Sequence, residues 1–204
     1  MKKSSYWTNR LILSLAAVTL VGLLVGCSSV LTTLGLQEPA LKGVFMDSAV
    51  GGIGYATPTY KGVTKADGVF EYKAGETVTF FVGELQLGST TGKPVVTPLD
   101  LVPDAKDVTD QRVTNICVLL QTLDQDADPT NGIMITKKTA ATVTQYGKEI
   151  NFNKPVRAFS FDAGFRSVLT ELNNVDAFGE SPRAVKPPFT AQKHFKATLE
   201  GLKK

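Results

Sequence analysis

Between Gly43 and Thr97 the side chains alternate in character with period two, and beyond Pro98 they no longer do. That switch restricts the fold more than any other feature of the chain. Runs such as VFMD, IGYAT, VFEY, TVTFFV and LQLG are separated by GG, KADG, KAGE and GSTTGK, so turn residues recur every few positions. A strand points successive side chains to opposite faces, and Gly and Asp tolerate the positive φ of tight turns, so the pattern predicts short antiparallel strands. Ala66-Asp67-Gly68 is one such turn; Val69, Phe70 and Tyr72 follow it, and Gly75 ends that strand before Thr77 begins another. A lone hairpin is marginal in water, whereas five or more such strands can close a small sandwich.

After Pro98 the repeat becomes helical. Val113, Ile116, Cys117, Leu120 and Leu123 fall at i, i+3, i+4, i+7 and i+10, which puts one apolar stripe on a helix. Thr109 is its expected N-cap, with Val108 and Val113 placed as a hydrophobic staple. A second helix is expected within residues 137–146, and a third from Phe165, Val168, Leu169 and Leu172. The last follows Pro187-Pro188, with Thr190 as N-cap, Ala191, His194, Phe195, Thr198, Leu199 and Leu202 on one face, and Gly201 where it stops. Strands first and helices afterwards, without βαβ alternation, predict an α+β fold: a small antiparallel β-sandwich followed by a helical cluster.

The first 26 residues belong to neither part. Residues 1–10, MKKSSYWTNR, carry Lys2, Lys3 and Arg10 without an acid, and an uncharged apolar run of 16 residues extends from Leu11 to Gly26. This is a basic start followed by an apolar export segment, shorter than the roughly 20 residues a membrane-crossing helix needs. It ends in Leu24-Val25-Gly26-Cys27, a pattern similar to the bacterial lipobox, in which the cysteine sulfur receives diacylglycerol before cleavage exposes its amine for a further acyl chain. Each buried CH₂ contributes about 0.8 kcal/mol, so a multiply acylated Cys27 would anchor durably in a lipid bilayer. Ser28, a residue other than aspartate after that cysteine, implies release to the outer membrane in a Gram-negative cell. The expected organisation is therefore residues 1–26 as signal, 27–42 as a lipidated tether, 43–97 as the β-sandwich region and 98–204 as the helical region with an acidic loop. Fully extended, Ser28 to Lys42 reaches at most about 50 Å; as a flexible coil it averages nearer 20 Å.

Charge narrows the function classes. The net +3 of 22 bases against 19 acids lies entirely in the signal, whose removal leaves 19 of each. A balanced chain has no basic field to attract phosphate backbones, so nucleic-acid binding is not expected. Besides Cys27 only Cys117 remains, so no intrachain disulfide is available, and its apolar neighbours predict a small buried hydrophobe.

The chemistry-bearing stretch is LDQDADPTNGI, residues 123–133. Asp124, Asp126 and Asp128 follow the C-terminus of the first helix, where carboxylates are disfavoured by roughly 0.3–1 kcal/mol each and repel one another. Hard oxygen ligands at alternating positions suit Ca²⁺, with Asn131 and backbone carbonyls completing six to eight ligands. The loop is not an EF-hand, since Pro129 stands sixth and Ile135 twelfth. The alternative is a hydrated turn whose aspartates cap neighbouring amides. His194 is the sole histidine, so a Ser-His or Cys-His hydrolase would have to use it; on a face with Phe195 and Leu199 it reads first as a packed imidazole. Tyr60, Phe80 and Phe81 are candidates for the lining of an apolar pocket, or for core.

Val44-Phe45-Met46-Asp47-Ser48-Ala49-Val50, Gly54-Tyr55-Ala56-Thr57, KADGVFEYKAGETVTFFVGELQLG, Val96-Thr97-Pro98-Leu99-Asp100, VTNICVLLQTLDQDADPTNGI and AQKHFKATL together resemble a group of bacterial secreted and lipid-anchored envelope proteins, over most of the chain after Lys42. The first part also resembles transthyretin-like and carboxypeptidase-regulatory β-sandwiches. Relatives in this group are described as organic-solvent transporter components or as adhesin-like. The resemblance implies envelope location and a non-enzymatic binding or structural role, or else an accessory that binds a small apolar ligand for an envelope transporter. It carries no catalytic residue.

Overall fold

Period two is obeyed where the strands form: Phe70 and Tyr72, and likewise Val78, Phe80 and Val82, turn inward, while Thr79 and Phe81 stay half-buried on the opposite side. The structure is a computed structural model that describes residues 39–179 and 182–203. The expected signal, Cys27 and most of the tether lie outside the described residues. The tether's last two expected residues, Leu41 and Lys42, already pair with Tyr72 and Glu71.

Three sheets are present among the described residues. In the first, β1 (Leu41–Phe45) is central, antiparallel to β5 (Val69–Tyr72) and parallel to β8 (Val95–Val96). The second runs in the order β4 (Lys61–Val63), β3 (Gly54–Ala56), β6 (Thr77–Val82), β7 (Leu85–Thr91), antiparallel throughout, with a bulge at Phe80/Phe81. In the third, β2 (Val50–Gly51) lies parallel to β9 (Ile133–Met134). The antiparallel expectation therefore holds for hairpins but not for β1–β8 or β2–β9, whose partners are far apart in sequence and give no hairpin signal. Side chains of the first two sheets meet in an aromatic cluster, with ring centroids at 4.6 Å for Phe45–Phe80, 5.1 Å for Phe70–Phe80 and 5.9 Å for Tyr55–Phe70.

Five helices follow, in keeping with the α+β class: α1 (Gln111–Leu123), α2 (Lys137–Tyr146), the single turn α3 (Val156–Phe159), α4 (Ala163–Asn174) and α5 (Pro188–Gly201). The bounds of α2 match the expectation, and Phe165, Val168, Leu169 and Leu172 are buried on α4 as expected. Two caps differ. The N-cap of α1 is Asp110, whose carboxylate accepts from the Arg112 amide, while the Thr109 hydroxyl donates to Asp107. With Asp110 as N-cap, Val108 and Val113 no longer occupy the staple positions, and the Val108 carbonyl accepts from Thr114 Oγ1. Helix α5 begins at Pro188, ahead of Thr190, because proline needs no amide partner in a first turn and holds Pro187 extended.

The expected stripe on α1 is a larger correction. All eleven residues from Val113 to Leu123 are buried, including Thr114, Asn115, Gln121 and Thr122. The helix is enclosed by the other elements and has no wet face after its first turn. The β-rich and helix-rich halves thus share one core, and residues 39–203 lie in one compact unit. No described helix is long and apolar enough to cross a membrane.

Gly52 joins the halves. Its φ is +82°, and a Cβ there would strike the backbone carbonyl of Ile135, just past β9. Gly52→Ala is expected to cost about 2–4 kcal/mol from backbone strain plus overlap, measured as a lowered urea midpoint at unchanged slope.

Candidate functional site

Two clusters of polar groups carry the chemistry worth weighing. The first surrounds the four-residue turn Met46 to Ala49, closed by a bridge between its ends, in which Ser48 has a φ of 62°. From α5, Nε2 of His194 comes within 3.0 Å of Ser48 Oγ and also 3.0 Å of the Asp47 carbonyl. A serine touching the sole histidine invites a hydrolytic reading. The Asp47 carbonyl only accepts, so this contact favours the tautomer with the proton on Nε2, which donates to the carbonyl and does not take a proton from Ser48. Burial also pushes the imidazole below its ordinary pKa, so the neutral ring acts as a donor tying α5 to the turn.

Beneath this turn the Asp47 side chain is wholly enclosed. Gln121 Nε2 on α1 donates to Asp47 Oδ2 at 3.0 Å and to the Ala191 carbonyl of α5 at 3.2 Å. Burial drives the Asp47 carboxyl well above the usual carboxylate range, against the hydrogen bonds from Gln121 and Cys117 that favour the anion. Cys117 is buried and free, as expected from its neighbours. The Asp47, Gln121 and Cys117 side chains are closed off from solvent, whereas Ser48 and His194 above them are half-buried.

The second cluster is the acidic loop, which is a set of turns. Asp128 Oδ1 accepts from the Thr130 amide and hydroxyl; Asp126 accepts from the Asp128 amide and, at 2.9 Å, from Asn131 Nδ2. These bonds hold Asp126 and Asp128 below the usual carboxylate range. Asp124 differs. It is 1 % exposed, Oδ1 accepts from the Met134 amide at 2.8 Å, and Oδ2 has no partner. Burial, reinforced by the charge of Asp126, raises it to about 6.

Cations answer the helix end from elsewhere in the chain. The Arg183 guanidinium donates to the carbonyls of Thr122, in the last turn of α1, and of Asp124 and Gln125 just past it, and rests 4.1 Å from the Phe178 ring centroid. Lys186 Nζ donates to the Ala127 carbonyl. Sequence reasoning missed Arg183, since it sits in an aperiodic stretch before Pro187-Pro188 and pairs with carbonyls that any residue could supply. It also missed Asp47 and Ser48, at and just past the end of the expected strand run VFMD, and Gln121, on a helix face expected to be wet.

Asp124, Asp126 and Asn131 line one cleft of about 570 Å³, together with Gly132, Met134 and Phe178; Asp128 is not in its wall. Among the described residues no three His, Cys, Asp or Glu side chains converge as a metal-binding group. Of the aromatic candidates, Phe80 is fully buried in the core, Tyr60 packs partly buried against it, and Phe81 is half-buried. Comparison with known proteins finds no matching family model, no similar curated protein and no similar solved structure.

A buried carboxyl with a raised folded pKa holds a proton that the unfolded chain releases near pH 4. Its contribution therefore declines as pH rises through that interval. Asp47→Asn is expected to reduce the loss of stability between pH 4 and pH 8 and to raise Tm at pH 8 by about 2–6 °C, read from thermal melts across that range.

Proposed function

We propose that this chain is a lipid-anchored protein of the bacterial cell envelope, held through acylated Cys27 and acting as a non-enzymatic binding or structural module. One observation carries the reading: the lipobox-like Leu24-Val25-Gly26-Cys27 stands only 12 positions before Pro39, where the folded unit begins. A connection of that length spans about 40 Å when extended, so the body would stay beside its bilayer, consistent with outer-membrane placement. The balanced charge of the mature chain favours partners other than nucleic acid. The donor tautomer of His194 and the sealed Asp47 favour a structural role for the two groups best suited to acid-base chemistry. The two sheets packed through Phe45, Phe70 and Phe80 favour a transthyretin-like or immunoglobulin-like sandwich as the β architecture.

A second reading has its own support. A cleft of about 450 Å³ is lined by Phe161, Leu169, Val185 and Arg166, and the Phe161 side chain is 78 % exposed. Apolar walls with a guanidinium suit an amphiphile with an anionic head, as an accessory of an envelope transporter would require. Saturable binding of a fluorescent fatty acid, reduced by Arg166→Ala, would favour it.

The anchoring reading is tested by expressing wild type and Cys27→Ser with a clickable palmitate. Label is expected on wild type alone, with wild type in the membrane fraction and the variant displaced from it. Identical processing and fractionation, with no label on either, would remove the reading.

A further inference from the structure

We propose that the cleft beside the acidic loop is a site for one calcium-like divalent cation, held by Asp124, Asp126 and Asn131, with Asp128 taking no part. The observation that points to a ligand is Asp124. The residue lines the cleft and is almost completely buried, yet only one of its carboxylate oxygens is satisfied, by the Met134 amide. An anionic oxygen removed from water without a partner is unfavourable, and a cation bound there would supply the missing interaction.

The neighbours suit that role. Asn131 Nδ2 steadies Asp126 in the same wall, and this donation leaves the Asn131 carbonyl oxygen as a neutral acceptor. Asp128 is occupied by Thr130 and lies outside the cleft.

Charge favours the same conclusion. Three carboxylates face Arg183 and Lys186, which leaves the loop at minus one, and both cations donate to carbonyls while making no ion pair with the aspartates. Two carboxylates and an amide fall short of the six to eight oxygens that Ca²⁺ takes, so carbonyls and water complete the shell. Such a site is weak and selective for hard cations.

The test uses the full chain in non-ionic detergent, stripped with EDTA and dialysed against ⁴⁵Ca²⁺. One ion per chain is expected, with half-saturation in the range of about 0.1–1 mM at pH 7.5. Asp124→Asn and Asp126→Asn should each weaken binding about tenfold or more, while Asp128→Asn stays within about twofold. No saturable uptake by wild type, or equal weakening by Asp128→Asn and Asp126→Asn, would overturn the proposal, the latter by marking a diffuse acidic cluster. Circular dichroism in EDTA checks the buried Asp124→Asn variant; should it fail to fold, exposed Asp126 carries the comparison alone.

Discussion

A helix without a wet face must find protein partners for every polar side chain it carries, and α1 makes that demand of the whole molecule. Asn115 donates to the carbonyls of Phe152 and Lys154, Thr114 accepts from Gln192 on α5, and Gln121 reaches both Asp47 and Ala191. Thr122 accepts from the Lys186 amide. Each bond is worth only about 1 kcal/mol net, but leaving its buried group unmatched costs more. The positions of the first turn, the connection after α2, the strap before α5 and α5 itself are thereby specified together. Apolar packing supplies the driving force around this helix, and the polar set selects which arrangement it stabilises.

The same logic explains the ends of α1. Its N-terminus is answered locally by Asp110, which also pairs with Arg112. Its C-terminus is answered from 60 residues away by one guanidinium bound to three carbonyls. A planar fork with five donors can serve several carbonyls at once, and it places positive charge where the helix dipole and the aspartates are both negative. Helix end, acidic loop and strap form one electrostatic unit in which Asp124 is the member left incompletely matched.

How much of this was legible depends on the range of the interaction. Period two marked the strands, and the helical repeat placed α2 and α4, because those signals arise from neighbouring residues facing one core. Pairings between distant segments left no local trace: β9 is two residues long and exists only because β2 lies beside it. The polar residues of α1 were the most misleading, since Thr114, Asn115, Gln121 and Thr122 look like a solvent face until their partners are known. In the acidic loop, spacing identified the carboxylates but could not reveal that Asp128 turns to Thr130 while Asp124 turns inward. Asp47 was hidden for a similar reason, since an aspartate at the end of a short apolar run is ordinarily wet.

The place of β1 in its sheet bears on how the molecule would respond to tension. The strand that begins two residues after Pro39 has neighbours on both flanks, β5 running against it and β8 running with it. A pull from the N-terminal side is directed along the strand, so the ladder bonds to both neighbours resist sliding together and cannot open one after another from an edge. A body hung from a cell surface by its leading end would thus bear drag through the part of the sheet best arranged to withstand shear.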